Sequence, residues 1–108
     1  MKELVVVIVN NGFADDVMRA AREAKAFGGT VIQGRGTAKA EAEKMFNISI
    51  QPEKEVVLIV VDEEIKDDVL KNIYQKVGLD SPGQGIAFTL PTTDVVGISS
   101  FKKEDNKE

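Results

Sequence analysis

The sequence predicts an α+β fold in which two helices cover one face of a four-stranded antiparallel sheet. Two apolar runs have the β-branched composition of buried strands: LVVVIV at residues 4–9 and VVLIVV at residues 56–61. Each run is followed by a segment whose apolar residues recur every three or four positions, which is typical of a helix with one buried face. A shorter β-rich stretch then follows each helix. The order β-α-β therefore occurs twice, as in the double βαβ sandwich of the ferredoxin-like fold.

The first βαβ unit begins with the strand Leu4–Val9. Asp15–Asp16 places negative charge in the first turn of the following helix, where the helix dipole favours it. The Gly28–Gly29 pair is predicted to end this helix, and Thr30–Gln33 is the second strand. The residues expected on the buried helix face are Val17, Ala21, Ala24 and Phe27.

The second unit begins with the strand Val56–Val61, and Asp62 is a suitable N-cap for the helix after it. Gly78 is predicted to end that helix, Ile86–Leu90 is the fourth strand, and Asp94–Ile98 is a further short extended piece. The buried stripe of this second helix consists of residues spaced by four: Ile65, Val69, Ile73 and Val77.

The two longest strands are apolar on both of their sides, although the two helices can cover only one face of the sheet. A small two-layer domain buries its second face by association with other copies. The sequence therefore predicts a homo-oligomer. One domain is expected over residues 1–100, with a connection at residues 36–54 that binds a partner, and a charged tail at residues 101–108.

Composition excludes several classes of function. The chain has 108 residues, a net charge of −4 and no dense basic cluster, so nucleic-acid binding is not expected. It has neither histidine nor cysteine, which removes the commonest general base, thiolate chemistry and the ligands of soft metals. We predict no catalytic residues and no metal site. No run approaches the length of a membrane span, and the expected location is the cytoplasm.

Two Gly-x-Gly segments are candidate anion-binding loops, because glycine lets backbone N–H groups approach a phosphate. The first segment is Gly34-Arg35-Gly36-Thr37, where the arginine adds charge, and the second is Gly83-Gln84-Gly85, where the amide is a neutral donor. The structural alternative is that each is only a turn next to a strand. Thr30 is a candidate for a hydrogen bond to a purine edge, or is an ordinary strand residue.

The connection between the second and third strands begins with alanine, lysine and glutamate, which favour a helix. An apolar cluster follows. Such a segment suits the docking of a partner protein, or it packs on its own oligomer. The residues predicted to bind a partner are Lys39, Glu43, Met45 and Phe46.

Over nearly its whole length the chain resembles the PII signal-transduction proteins, the nitrogen regulatory family. The matching pieces include MKELVVVIV, GGTVIQGRG, EKEVVLIVVDEE and, most specifically, SPGQGIAFTLPTTDVVGI. The resemblance implies a non-enzymatic homotrimer with nucleotide sites in the clefts between subunits. The ligands that it implies are ATP, ADP or related nucleotides. It also implies a connection between strands two and three that binds a membrane transporter or a metabolic enzyme, in nitrogen or other nutrient metabolism.

Three departures from the family pattern affect the expected ligand. The family has a lysine after the second glycine of its loop, whereas Ile86 follows Gly85 here. The family's last strand has two phosphate-binding arginines, and Gly97 and Ser99 stand at the corresponding positions here. The loop tyrosine that is modified with a nucleotide in some members is missing, since the only tyrosine, Tyr74, lies in the second helix. The chain is therefore expected to bind triphosphates weakly, to bind a different ligand such as AMP or a cyclic nucleotide, or to have replaced the site. The alternative function is a trimeric structural or adaptor subunit, or a CutA-like metal-tolerance protein that binds no nucleotide.

Overall fold

The computed structural model describes residues 1–37, 44–45 and 52–97. The strand order in the sheet is β2-β3-β1-β4, and every neighbouring pair is antiparallel. This is the predicted ferredoxin-like arrangement. The elements are β1 (Lys2–Asn10), α1 (Ala14–Glu23), β2 (Thr30–Arg35), β3 (Glu53–Asp62), α2 (Glu63–Val77) and β4 (Gly85–Pro91).

The core lies between the two helices and one face of the sheet. Side chains alternate between the faces of a strand, so every second residue of β1 and β3 points at the helices. The predicted stripe of α2 is confirmed, with Val69, Ile73 and Val77 buried and Ile65 packed at the edge. The strand residues of this core are Val5, Val7, Val9, Val57, Ile59 and Val61.

The predicted end of α1 was wrong by several residues. The helix ends at Glu23, and Lys25 takes the left-handed conformation, with φ 83°, that was expected of a glycine. Ala24 still packs against the core, but Phe27 is 84% exposed and lies on no helix face. Gly29 is explained by packing instead, because a Cβ there would lie 2.8 Å from the carbonyl oxygen of Leu58 on β3.

The boundaries of the second unit agree better with the prediction. Asp62 is the N-cap residue of α2, although its side chain pairs with Lys2 and caps no backbone N–H. Gly78 ends α2 with φ 80°. Beyond β4, the described residues 92–97 form no strand, and Ile98 lies outside the described residues. The Thr92 hydroxyl instead donates to the carbonyl oxygen of Lys2 and fixes the chain at the start of β1.

The sheet face opposite the helices is apolar and is covered by no described residue; we call it the open face. Every strand contributes to it, because the paired rows of the sheet place the same side of each strand there. Its apolar members are Leu4, Val6, Ile8, Ile32, Val56, Leu58, Val60, Ile86, Phe88 and Leu90. This face and its two ends carry most of the residues that the sequence predicted for function.

Candidate functional site

The predicted ligand residues lie at two opposite ends of the open face. Thr30 begins β2 and pairs with Leu58, whereas Gly34 pairs with Lys54, which in turn pairs with Asn10. Four residues of strand separate the two rows, which is about 13 Å. We call them the Thr30 end and the Asn10 end. The two Gly-x-Gly segments both belong to the Asn10 end, since Gly85 pairs with Val9.

The first Gly-x-Gly segment is mostly strand. β2 continues through Arg35, so the predicted turn at residues 34–37 begins two residues later than expected. The Gly36 N–H donates to the carbonyl oxygen of Pro52 over 2.6 Å, which closes the base of the connection to β3. Arg35 and Thr37 are exposed, and among the described residues the Arg35 guanidinium has no hydrogen bond or ion pair. Arg35 is therefore available to an external anion.

The second Gly-x-Gly segment has internal contacts of its own. Gln84 Nε2 donates to the carbonyl oxygen of Val77 over 3.0 Å and so satisfies the last turn of α2. A Cβ on Gly85 would lie 2.3 Å from the carbonyl oxygen of Ile8, so close strand packing alone requires this glycine. Gly83 has φ 83°, which permits the turn before β4. Each of the three residues thus has a structural role that needs no ligand.

A polar pair at the Asn10 end was missed by the sequence analysis. Lys54 Nζ donates to Asn10 Oδ1 over 2.6 Å, and Asn10 Nδ2 donates to the carbonyl oxygen of Gly83 over 3.2 Å. A Cβ on Gly36 would meet Lys54 Cε at 2.9 Å, so the lysine stem lies directly against that glycine. Lys54 therefore brings a positive charge to the open face at the Asn10 end, whereas Arg35, one residue out of the Gly34–Lys54 row, lies on the other side of the sheet.

Next to Lys54, Glu55 lies on the helix-covered side and closes the N-terminus of α1. Its Oε1 accepts backbone N–H bonds from Ala14 (2.9 Å) and Gly12 (3.0 Å), and its Oε2 accepts a long bond from the Gln33 amide. The Ala14 bond is the largest of the effects that hold the pKa of Glu55 below its ordinary value. Since Phe13 at the N-cap position offers no side-chain cap, Glu55 takes that role, and the helix terminus is closed to an external anion.

The Thr30 end contains a pocket of about 460 Å³. Its walls come from the connection after α1 and from the open-face residues Leu58 and Val60, with the exposed Phe27 at its rim. Thr30 supplies a hydroxyl, and the Lys2–Asp62 ion pair lies at the β1 side. A largely apolar pocket with a few polar groups has the composition of a small-molecule site.

The remaining predicted residues fall in the connection between β2 and β3. Lys39, Glu43 and Phe46 lie outside the described residues, whereas Met45 is described and is 77% exposed. β3 begins at Glu53, inside the segment 36–54 that the sequence analysis assigned to the connection.

Two kinds of site are absent from the described residues. None of their carboxylates form a group of three or more that could hold a metal ion. None of the helices described here combines the length and the apolar character needed to cross a membrane.

Comparisons with known proteins agree with this architecture. The family model described as "Nitrogen regulatory protein P-II" matches residues 1–102. Among solved structures, the chain is similar to PII from Arabidopsis thaliana bound to citrate, with a TM-score of 0.70 and 25% sequence identity. That match covers 90% of this chain and 80% of the plant protein. A search of curated proteins found no match. Because the family model spans nearly the whole chain, the protein belongs to the P-II family of nitrogen regulatory signal-transduction proteins, which are regulators and not enzymes.

Proposed function

We propose that the protein is a cytoplasmic homotrimer that binds an adenine nucleotide, or a related anionic ligand, between its subunits. Ligand binding selects one arrangement of the connection between β2 and β3, and thereby changes binding to a membrane transporter or a metabolic enzyme. One observation carries the proposal. The residues expected to bind ligand are divided between the two ends of an uncovered apolar sheet face.

The open face supports self-association. Val60, Phe88 and their neighbours form one contiguous apolar surface, which soluble monomers rarely expose over such an extent. The five most exposed members are Ile32, Val60, Ile86, Phe88 and Leu90. Three copies that turn their open faces toward a common axis bury this surface, as the family resemblance implies.

The separation of the two ends supports a shared site. One subunit presents the pocket at Thr30 and, about 13 Å away along the strands, the Asn10 end with the cationic Lys54 on the open face. In a closed ring the contacts are heterologous, so two different patches of neighbouring subunits meet. We propose that these patches are the Thr30 end of one copy and the Asn10 end of the next. Such a ring completes three equivalent sites, each with a pocket from one copy and cations from the next.

The charges favour a ligand with few phosphates. Lys54 and Arg35 are the cations described at the Asn10 end, whereas Ile86 and Gly97 stand where the family has cationic residues. An unpaired phosphate charge is costly to bury. We therefore expect AMP or a cyclic nucleotide to bind more tightly than ATP.

The test is isothermal titration calorimetry of the full chain with ATP, ADP, AMP and a cyclic dinucleotide, together with light scattering to determine the oligomeric state. Lys54→Met should weaken binding about tenfold or more, because a hydrogen bond to a charged group contributes about 1.5–3 kcal/mol. Lys71→Met, a change at an exposed lysine of α2, is the matched control.

Each outcome has a clear consequence. Heat with at least one nucleotide, a trimeric mass and selective loss in Lys54→Met support the proposal. A trimer that gives no heat at millimolar nucleotide contradicts the nucleotide half and leaves the adaptor alternative. A monomeric protein contradicts the shared site.

A further inference from the structure

The Asn10 side chain joins two segments that are distant in the sequence. Its amide nitrogen holds the loop before β4 through Gly83, and its amide oxygen holds Lys54 near the start of β3. The backbone of the same turn is attached as well, because Asn11 N donates to the carbonyl oxygen of Glu53 over 3.1 Å. A single side chain therefore connects the second glycine segment to the base of the β2–β3 connection.

The partner of Lys54 is unusual for a half-buried ammonium. None of the ion pairs between described residues includes Lys54, and its hydrogen-bond acceptor is a neutral amide. Its stem is held in place against Gly36. An ammonium that binds a carboxylate or phosphate oxygen gains the attraction between opposite charges in addition to the hydrogen bond, and a neutral acceptor does not supply that attraction. An anion that reaches Lys54 is thus a stronger partner than Asn10.

We propose that Asn10 is an internal competitor for the anion. In the ligand-free chain the side-chain oxygen of Asn10 accepts a hydrogen bond from Lys54 Nζ. An anion that binds Lys54 displaces this oxygen. The displaced amide no longer holds Gly83, so binding releases the loop before β4 at the same time as it engages the start of β3. This inference rests on the proposed function, because it takes the Asn10 end as the anion half of the site. The competition lowers apparent affinity by the fraction of molecules in which Lys54 is free.

Two substitutions of Asn10 have opposite expected effects. Asn10→Ala removes the competing carbonyl and should tighten nucleotide binding about three- to tenfold, since a hydrogen bond to an ammonium is lost from the free state only. Asn10→Asp places a carboxylate on Lys54 and should weaken binding about tenfold or more. Asn11→Ala, at the exposed neighbouring residue, is the control and should leave affinity unchanged. Calorimetry with the same nucleotide panel measures these changes.

Hydrogen exchange of the ligand-free chain tests the connection independently. Asn10→Ala should speed amide exchange both in residues 81–85 and at the start of β3, whereas Asn11→Ala should change neither. Thermal unfolding confirms that each variant is folded.

The outcomes separate this inference from the proposed function. Tighter binding in Asn10→Ala with weaker binding in Asn10→Asp supports the competition. Binding by the wild-type protein that weakens in both variants shows that Asn10 is a ligand contact, and contradicts the competition alone. Unchanged affinity in Asn10→Ala, or unchanged exchange in either segment, also contradicts it. No heat in any variant contradicts the proposed function and the competition together.

Discussion

The two faces of the sheet carry similar residues and differ in what covers them. On the helix-covered side, Val57 and Ile59 are fully buried. On the open face, their neighbour Val60 is 39% exposed, and Phe88 on β4 is 40% exposed. Val57, Ile59 and Val60 lie on one strand, β3, so the difference between them arises from the alternation of side chains between the two faces of the sheet.

The difference separates the face that the chain covers itself from the face that is free to bind another molecule. The helix-covered face is completed by α1 and α2, so its contacts are structural, including the Glu55 carboxylate at the start of α1. The open face is covered by no described residue and is the face that the proposed trimer would bury, and the candidate ligand residues Thr30, Gly34 and Lys54 lie in its rows. Substitutions on the first face should change folding, whereas those on the second should change assembly.

The largest effect is expected from Phe88→Asp on the open face. In the oligomer this change replaces a buried ring by a carboxylate without a partner, which costs several kcal/mol in every subunit. In the monomer the same position is part-exposed, so the fold should tolerate the change. We expect light scattering to show monomers and circular dichroism to remain near that of the wild type.

Phe88→Leu is the control for that substitution. It keeps an apolar side chain at the same position and should preserve the oligomer. An oligomer that survives Phe88→Asp would show that the open face is not the interface.

The next largest effect is the difference in unfolding free energy between two equal truncations on β3. Val57→Ala removes the same atoms from the helix-covered core that Val60→Ala removes from the open face. We expect Val57→Ala to lower the free energy of unfolding by about 2 kcal/mol, from lost burial and the cavity that remains. In the monomeric Phe88→Asp background, Val60→Ala should cost less than about 0.5 kcal/mol.

Urea unfolding measures both truncations in both backgrounds. In the oligomer, Val60→Ala should become more costly because the residue is then buried. Equal costs in the two backgrounds would contradict the burial of Val60 by another copy.

Much of the fold was predictable because the patterns that specify it are periodic. The β-branched runs of β1 and β3 and the four-residue spacing in α2 need only local information. The end of α1 was not predictable in the same way. Lys25 takes a left-handed conformation that glycine usually adopts, and Gly29 is required by a contact with Leu58 that depends on the folded sheet.

The site was less predictable because its bonds cross between distant segments. The face of the sheet on which Lys54 lies was predictable, because Lys54 alternates along β3 with Val56, Leu58 and Val60. Its partner Asn10 could not be inferred from spacing, because strand pairing alone brings them together. The role of Glu55 also needs three segments to meet, namely β3, the start of α1 and Gln33 on β2.

The smallest expected effect is a difference in stability between substitutions of Glu55 and Lys54. These residues are adjacent on β3, and their side chains lie on opposite faces of the sheet. Glu55→Gln should lower the free energy of unfolding by about 1 kcal/mol at neutral pH, as expected for loss of a charged cap at a helix N-terminus. Lys54→Met should change it less, since Lys54 is expected to act in ligand binding.

The pH dependence identifies the carboxylate as the cause. Because the backbone N–H of Ala14, with the other donors, lowers the folded-state pKa of Glu55, its contribution is fully present above the ordinary glutamate range and is lost as pH falls through the lowered value. The stability difference between the wild type and Glu55→Gln, measured by urea unfolding, should therefore be largest at neutral pH and should shrink in strong acid. A difference that stays constant down to strong acid would assign the effect to side-chain shape instead of charge, and Glu55 would then stabilise α1 only as a neutral hydrogen-bond acceptor.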